Sequence, residues 1–397
     1  MISISIFTLI LTGLTVSLMQ QQRQMNFTKE SVDLGQTGRA VLDLVSSEIR
    51  NAAARQGKNF SIIFSNGGSQ PDGQCGAETT QPGTVNSPPD CFTVLTWDKT
   101  RGQFVDTMDI DNDGDTQEII YPSVKADVDV NATIGSTLVL NLPDDWFPNG
   151  VSILKAQDLL GFRSRVSLCS PNPSINCGLT PSACTECAAI LRVSSVNSSV
   201  KTVTIDASAG SPIIGQNMVS PDPATFTDFV NNYFIQRIAT QVSEMSIVKA
   251  TTFSIDTTNE VFMVERDLSG PAMQYAGGPD APSVVDMQLV FNVENPDGST
   301  TKVGLPKDTT NNKYASFSDA AVAGSMPNVR TVEIYLLLKS RLRPHLLSGA
   351  NVGVQTIPRM GDRAQRTSKD PSLGEGFFYK IFTTTVYVRN LAREEFG

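Results

Sequence analysis

ISISIFTLILTGLTVSLM, residues 2–19, carries no charged side chain, and the QQQRQ at residues 20–24 turns polar without any turn signal between them. As a helix rising about 1.5 Å per residue, an uncharged run of this length matches a hydrocarbon core of ~30 Å. The expectation is a membrane-anchoring helix at the N-terminal end. A secretory signal would show a basic start and a small-residue cleavage site, and residues 1–24 show neither, so the segment reads as retained. Ser3, Ser5, Thr8, Thr12, Gly13, Thr15 and Ser17 add the small and hydroxyl side chains that let helices approach closely in lipid.

The helical signal continues past the polar break. Val41, Leu42, Val45, Ile49 and Ala52 fall on one stripe, with Arg39, Asp43, Ser47, Glu48 and Arg50 on the other side. No proline interrupts before Pro71. One helix is expected over about residues 2–55, roughly 80 Å long and softened at Gly35 and Gly38. Its first half would lie in lipid and its second half on a soluble domain. This divides the chain into an N-terminal helix, 1–57, and a head, 58–397.

From Phe60 the period changes. Val285, Met287, Leu289, Phe291 and Val293 alternate with Asp286, Gln288 and Asn292, and Asn295-Pro296-Asp297-Gly298 supplies a turn. Val332, Ile334, Leu336 and Leu338 share one face of a later strand, as Phe382, Thr384, Val386 and Val388 do in the last. Residues 253–264 read as a hairpin. The fold class is α+β, an antiparallel sheet with one face against the N-terminal helix, interrupted by loop insertions at 66–91, 168–188 and 344–376. The stretch 122–232 reads as an insertion with no recognisable fold.

GRAVLDLVSSEIRNA at 38–52 resembles the Gly-Arg-x-Ala-Leu-x-x-Leu-x-x-Asp/Glu-Ile/Leu-Arg-x-Ala segment of type IV pilins, specifically the large minor pilins of the PilW family, shifted slightly. FTTTVYVRN at 382–390 is similar to that family's closing strand, and NVRTVEIYLLLKSR at 328–341 to the strand before it. The resemblance covers both ends and the last third. It implies a pilin-like fold and a structural role: a minor pilin that primes assembly of a type IV pilus and sits at or near its tip. Implied partners are other minor and major pilins, a tip adhesin and the inner-membrane assembly platform. The implied location is the inner membrane first, then the filament at the cell surface. Ile2, Ile4, Ile6, Phe7, Leu9, Ile10, Leu14 and Val16 are the expected assembly residues, a plain lipid anchor being the alternative. Pilins carry a basic leader and an early acidic residue, whereas no carboxylate precedes Glu30 here. The expectation is that the true start lies upstream of Met1.

Composition agrees with an exported head. Hydrophobic residues make up 40%, enough for a sizeable core, and the formal charge of -9 disfavours nucleic acid as a partner. Six cysteines, an even count, suit an oxidising compartment. Cys75 with Cys91 is the natural pair, while connectivity among Cys169, Cys177, Cys184 and Cys187 stays open. A four-thiolate zinc site is the weaker reading, because only Cys184 and Cys187 have ligand spacing.

DIDNDGDTQE at 109–118 is the sharpest chemical motif. Asp109, Asp111, Asp113 and Asp115 alternate, and Gly114 among them lets a short loop turn its carboxylates towards a Ca²⁺ ion. The EF-hand template asks for Glu where Ile120 stands, and the flanks read as strand, so this is another kind of loop, with Glu118 as the late ligand. An Asp/Asn/Gly turn without metal is the alternative. Bound calcium would be held weakly, Kd on the order of 10⁻⁴ to 10⁻³ M. Arg359, Arg363, Arg366 and Lys369, following Lys339, Arg341 and Arg343, form a basic cluster that reads as a solvated loop or a surface for an acidic subunit or DNA.

Catalysis finds no support. His345 is the only histidine, and no Gly-x-Ser-x-Gly, phosphate-cradling loop or placed carboxylate pair accompanies it. Two other readings remain: a membrane-anchored calcium-dependent binding or adhesion module, and a type II secretion pseudopilin, which the chain length disfavours.

Overall fold

The long apolar period at the N-terminus forms one unbroken helix, α1 (Ile2–Asn51), in the computed structural model. Fifty residues give it a length of about 75 Å. The structure describes residues 2–52, 62–65, 88–98, 101, 104–108, 117–121, 124–126, 129–134, 137–142, 144–164, 188–206, 213–215, 218–220, 243–266, 272–294, 299–303, 314–315, 329–341, 355–361, 363, 365–368, 373 and 377–388. The helix runs without a break through Gly35 and Gly38. Both sit on the half of the helix held by the head, where packing fixes the backbone that glycine would otherwise loosen.

After the helix come β1 (Ile62–Ser65), β2 (Cys91–Trp97), β3 (Phe104–Met108), β4 (Gln117–Tyr121), β5 (Val124–Ala126), β6 (Asp129–Ile134) and β7 (Thr137–Asn141). Next are β8 (Leu159–Ser164), β9 (Ala188–Asn197), β10 (Thr202–Asp206), β11 (Ile213–Gly215), β12 (Met218–Ser220), β13 (Ser243–Asp256), β14 (Val261–Arg266) and β15 (Met273–Gly277). The chain continues with β16 (Ser283–Glu294), β17 (Thr300–Val303), β18 (Tyr314–Ala315), β19 (Val329–Lys339), β20 (Thr356–Ile357), β21 (Arg366–Thr367) and β22 (Tyr379–Tyr387).

Two sheets carry the head. A 13-stranded sheet centres on the fourteen-residue β13, which pairs with β2, β8, β14 and β5. Residues 124–220, unreadable in sequence, supply its β5 to β12. A five-stranded sheet runs β18-β17-β16-β19-β22. Asp90 joins the sheets: its N–H donates to the Met287 carbonyl at 2.9 Å, and its carboxylate accepts from the Leu289 N–H at 2.8 Å. The 253–264 hairpin forms as read, and Asp256 caps its turn by accepting from the Thr258 and Asn259 N–H groups.

Strand alternation puts the apolar face of each C-terminal strand under the helix. Leu34, Val41, Leu42, Val45, Ile49 and Ala52 of α1 pack into one core with Leu289 and Phe291, with Val332, Ile334, Leu336 and Leu338, and with Val386 and Val388. Phe92, Phe253 and Phe262 extend the same core into the larger sheet, with ring centroids 5.1 and 5.9 Å apart. Each fully buried aliphatic side chain contributes about 1.5–3 kcal/mol, so the stripe outweighs the poor stability of an isolated helix.

The opposite face of the five-stranded sheet is also covered. Ile357, Met360 and Leu373 lie against Leu337 and Tyr379, and Tyr379 donates to the Leu373 carbonyl. This corrects the reading of Arg363 and Arg366 as part of a solvated loop or exposed basic surface, while Arg359 is exposed as read. Arg363 and Arg366 are buried, and both meet the buried Asp286 carboxylate, at 3.5 and 2.5 Å. Gln288 donates to the same carboxylate at 3.0 Å. Buried arginines are tolerated because a buried carboxylate answers them, and the Gln288 amide gives that carboxylate a further donor. Arg343, His345 and Lys369 lie outside the described residues.

Candidate assembly helix and its seat on the head

From Ile6 to Lys29, every side chain of α1 is exposed, and Glu30 is the first buried one. The helix therefore divides at Glu30 into a free segment and a seated segment. Ile6, Phe7, Leu9, Ile10, Leu14 and Val16 all stand in the free segment and are about half open to solvent or more, Leu9 at 77%. Leu11, Leu18 and Met19 join them, and sequence reasoning did not single these out. Ile2 and Ile4 lie on the same helix, and their side chains fall outside what the structure describes.

Two hydroxyls of this segment are satisfied internally. Thr12 Oγ1 donates to the Thr8 carbonyl and Thr15 Oγ1 to the Leu11 carbonyl, each at 2.8 Å. A threonine that bonds its own preceding turn can be buried against another helix without an unmatched donor. Gly13 has open space around its Cα. The surface is thus apolar, of small relief and free of charge. Among the described residues, however, no helix is long and apolar enough to cross a membrane.

The seat is built from the ends of β19 and β22. Ser340 N–H donates to the Phe378 carbonyl at 2.8 Å, and Phe378 N–H donates back to Ser340 Oγ at 3.0 Å. On that tie rest two helix side chains one turn apart. Phe27 meets Phe378 edge to face at 5.8 Å, and Glu30 accepts from the Arg341 backbone N–H at 3.1 Å with the Arg341 guanidinium 3.4 Å away. Two turns further on, Gly38 lies directly on Phe382: a Cβ there would come within 2.6 Å of the ring. Lys380 Nζ stands 5.2 Å from that ring's centroid, packed over it.

On the outer side of the five-stranded sheet, Glu333 gathers donors from three strands. Lys302 Nζ lies at 2.6 Å, Asn292 Nδ2 at 3.1 Å and the Tyr335 hydroxyl at 2.9 Å. Burial pushes the Glu333 carboxyl up, but those hydrogen bonds and the Lys302 charge outweigh it and leave it below the ordinary carboxylate range. Burial, then the bond to anionic Glu333, pushes Tyr335 up to about 12.

The acidic motif falls between two paired strands. β3 and β4 form an antiparallel hairpin with Met108 opposite Gln117, so the backbone closes at the two ends of the motif. Asp109, Asp111, Asp113 and Asp115 lie outside the described residues, and Glu118 is on β4 opposite Thr107. No group of three potential ligands gathers elsewhere among the described residues. Cys91 is buried at the start of β2 and is disulfide-bonded. Its partner lies outside the described residues, as do Cys75, Cys169, Cys177, Cys184 and Cys187, and no pairing is visible among the described ones.

No family model matches the chain, and no curated protein matches it. Among solved structures, it is similar to a type IV-like pilin from Thermus thermophilus, with 16% identity, 37% of this chain and 70% of that chain covered, and a TM-score of 0.19. A likeness of that size carries no argument, and the function of this chain is read from its own residues.

Proposed function

We propose that the chain is a structural subunit of a pilus-type filament, a minor pilin whose free helix packs among the helices of sibling subunits. The observation that carries this is the exposed, uncharged surface from Ile6 to Met19, with Thr12 and Thr15 bonded to their own helix, while the other half of that helix is firmly seated. Such a surface calls for close-packed helices, where dispersion and small-residue approach replace lipid contacts. Assembly starts from the inner-membrane platform, the subunit primes the filament with other pilins and a tip adhesin, and the head ends at or near the tip, at the cell surface. The role is structural rather than catalytic. The PilW-like wording of residues 38–52 and 328–341 supports the same reading.

Shearing filaments from the producing cells and sequencing the subunit's N-terminal peptide by mass spectrometry tests it. A methylated N-terminus upstream of Met1 in the sheared fraction supports a processed pilin, while an unprocessed chain confined to membranes contradicts it.

A second reading has one observation in its favour. The β3–β4 pairing sets Met108 opposite Gln117, at the two ends of the segment that carries the four aspartates, a closure that suits a weak Ca²⁺ site. In that case the head is a calcium-dependent binding module on a helical stalk. Chelation that abolishes ligand binding and leaves filaments intact favours this module, and chelation that dissolves filaments ties the loop to assembly.

A further inference from the structure

Glu30 sits where a charge serves stability poorly. It is the first buried residue of the helix, one turn after the Phe27–Phe378 contact, and its partner Arg341 has a side chain about one third exposed, at 34%. Desolvating a carboxylate offsets much of what an ion pair returns, so a buried pair of this kind is weak evidence for stability and is best attested as a switch or a register device. The partly exposed Arg341 also leaves the attraction subject to salt. Beneath it the seat changes character. Leu34, Val41, Val45 and Ile49 are fully buried apolar contacts with no charge among them.

We propose that Glu30 and Arg341 form a latch at the neck of α1. Closed, with Phe27 edge-on to Phe378, it fixes the direction in which residues 6–29 leave the head. Open, it frees the helix up to Leu34 while the apolar stripe from Val41 to Ala52 keeps the helix on the sheet. The latch gives the free segment two states, held and swinging, so a subunit entering a crowded helical assembly can adjust the head to its neighbours. Its use rests on the assembly reading, but the two states belong to the fold alone.

Hydrogen exchange read by mass spectrometry on the full chain in detergent tests this. Molar salt is expected to raise exchange at residues 27–33 by about tenfold, the factor that ~1.4 kcal/mol gives, and to leave residues 41–49 unchanged. Glu30→Gln should give that raised exchange already at low salt. Glu30→Leu, which replaces the charge by an apolar contact, should dock the neck and abolish the salt response. The latch is overturned if salt leaves 27–33 unchanged, if exchange rises equally over 41–49, or if Glu30→Leu keeps the salt response. None of these outcomes depends on whether the chain enters a filament, which the sheared fraction answers separately.

Discussion

Gly38 shows how one missing side chain sets the distance between helix and sheet. Alanine is favoured over glycine in a helix by about 0.5–1 kcal/mol, yet a Cβ at 38 would lie 2.6 Å from the packed Phe382 ring. Overpacking of this kind costs about 1–3 kcal/mol, so the clash wins. Gly38→Ala is expected to lower the denaturation midpoint, with a net loss of about 1–2 kcal/mol. Gly35 provides the control. A Cβ there meets nothing within 4 Å, and Gly35→Ala should stabilise by up to about 1 kcal/mol. Both changes are read in the same denaturant titration, and equal effects would contradict the contact.

Glu333 and Tyr335 bound the pH range of the outer sheet face. The Glu333 carboxyl lies below its ordinary value when folded, so its contribution is present at neutral pH and is lost as acid takes the pH down through the folded value. Tyr335 has the opposite sign. It is raised to about 12, so its contribution is complete below the ordinary value near 10 and is lost as pH rises through about 12. Glu333→Gln should flatten the acid side of a plot of Tm against pH. A spectrophotometric titration differenced against Tyr335→Phe should show one late-ionising tyrosine.

At the scale of elements, the strands were legible where their periods were strong, and what covered them was not. Val332 to Leu338 and Phe382 to Val388 alternate cleanly, and they form β19 and the end of the chain's last strand pair as read. The polar alternates of β16 misled. Asp286 and Gln288 alternate with apolar residues, yet both are buried, with Arg363 and Arg366 against Asp286 and with Ile357, Met360 and Leu373 packed on the same face of the sheet. That cover has no period to detect. It holds two-residue strands and single apolar contacts, and its arginines read as surface charge. The available signal was complementarity: a carboxylate in mid-strand, and arginines at 363 and 366 to answer it. Removing one partner of a buried pair leaves the other charge uncompensated at about 3–5 kcal/mol. Asp286→Ala should therefore destabilise far more than an exposed change such as Arg359→Ala, which belongs within about 0.5 kcal/mol. Thermal unfolding of the two variants decides it.

At the scale of the whole molecule, the helix was the most legible element because its two halves carry different patterns. An apolar run free of charge stands clear of the head, and a one-sided stripe is seated on it. The interface partner of the free half could be read only as chemistry. Residues 124–220 were illegible because their strands are short and find their neighbours far away in sequence, as β8 does in β13. Deleting residues 2–24 should leave the head's unfolding midpoint within about 2 °C of the parent's, since the side chains of residues 6–24 are all exposed. The shortened chain should also stay dispersed without detergent. A collapse of the midpoint would mean that the free segment is part of the folded core.

The central claim is that residues 6–19 are a surface for other helices. Placing a photo-crosslinking amino acid at Leu9 or Leu14 in the producing cells, then shearing and mapping the adducts, tests it most directly. The account predicts crosslinks to the N-terminal helices of sibling subunits in the sheared filaments, with an exposed head position such as Val200 giving none of them. Crosslinks to lipid alone, with the chain absent from the sheared fraction, would contradict it.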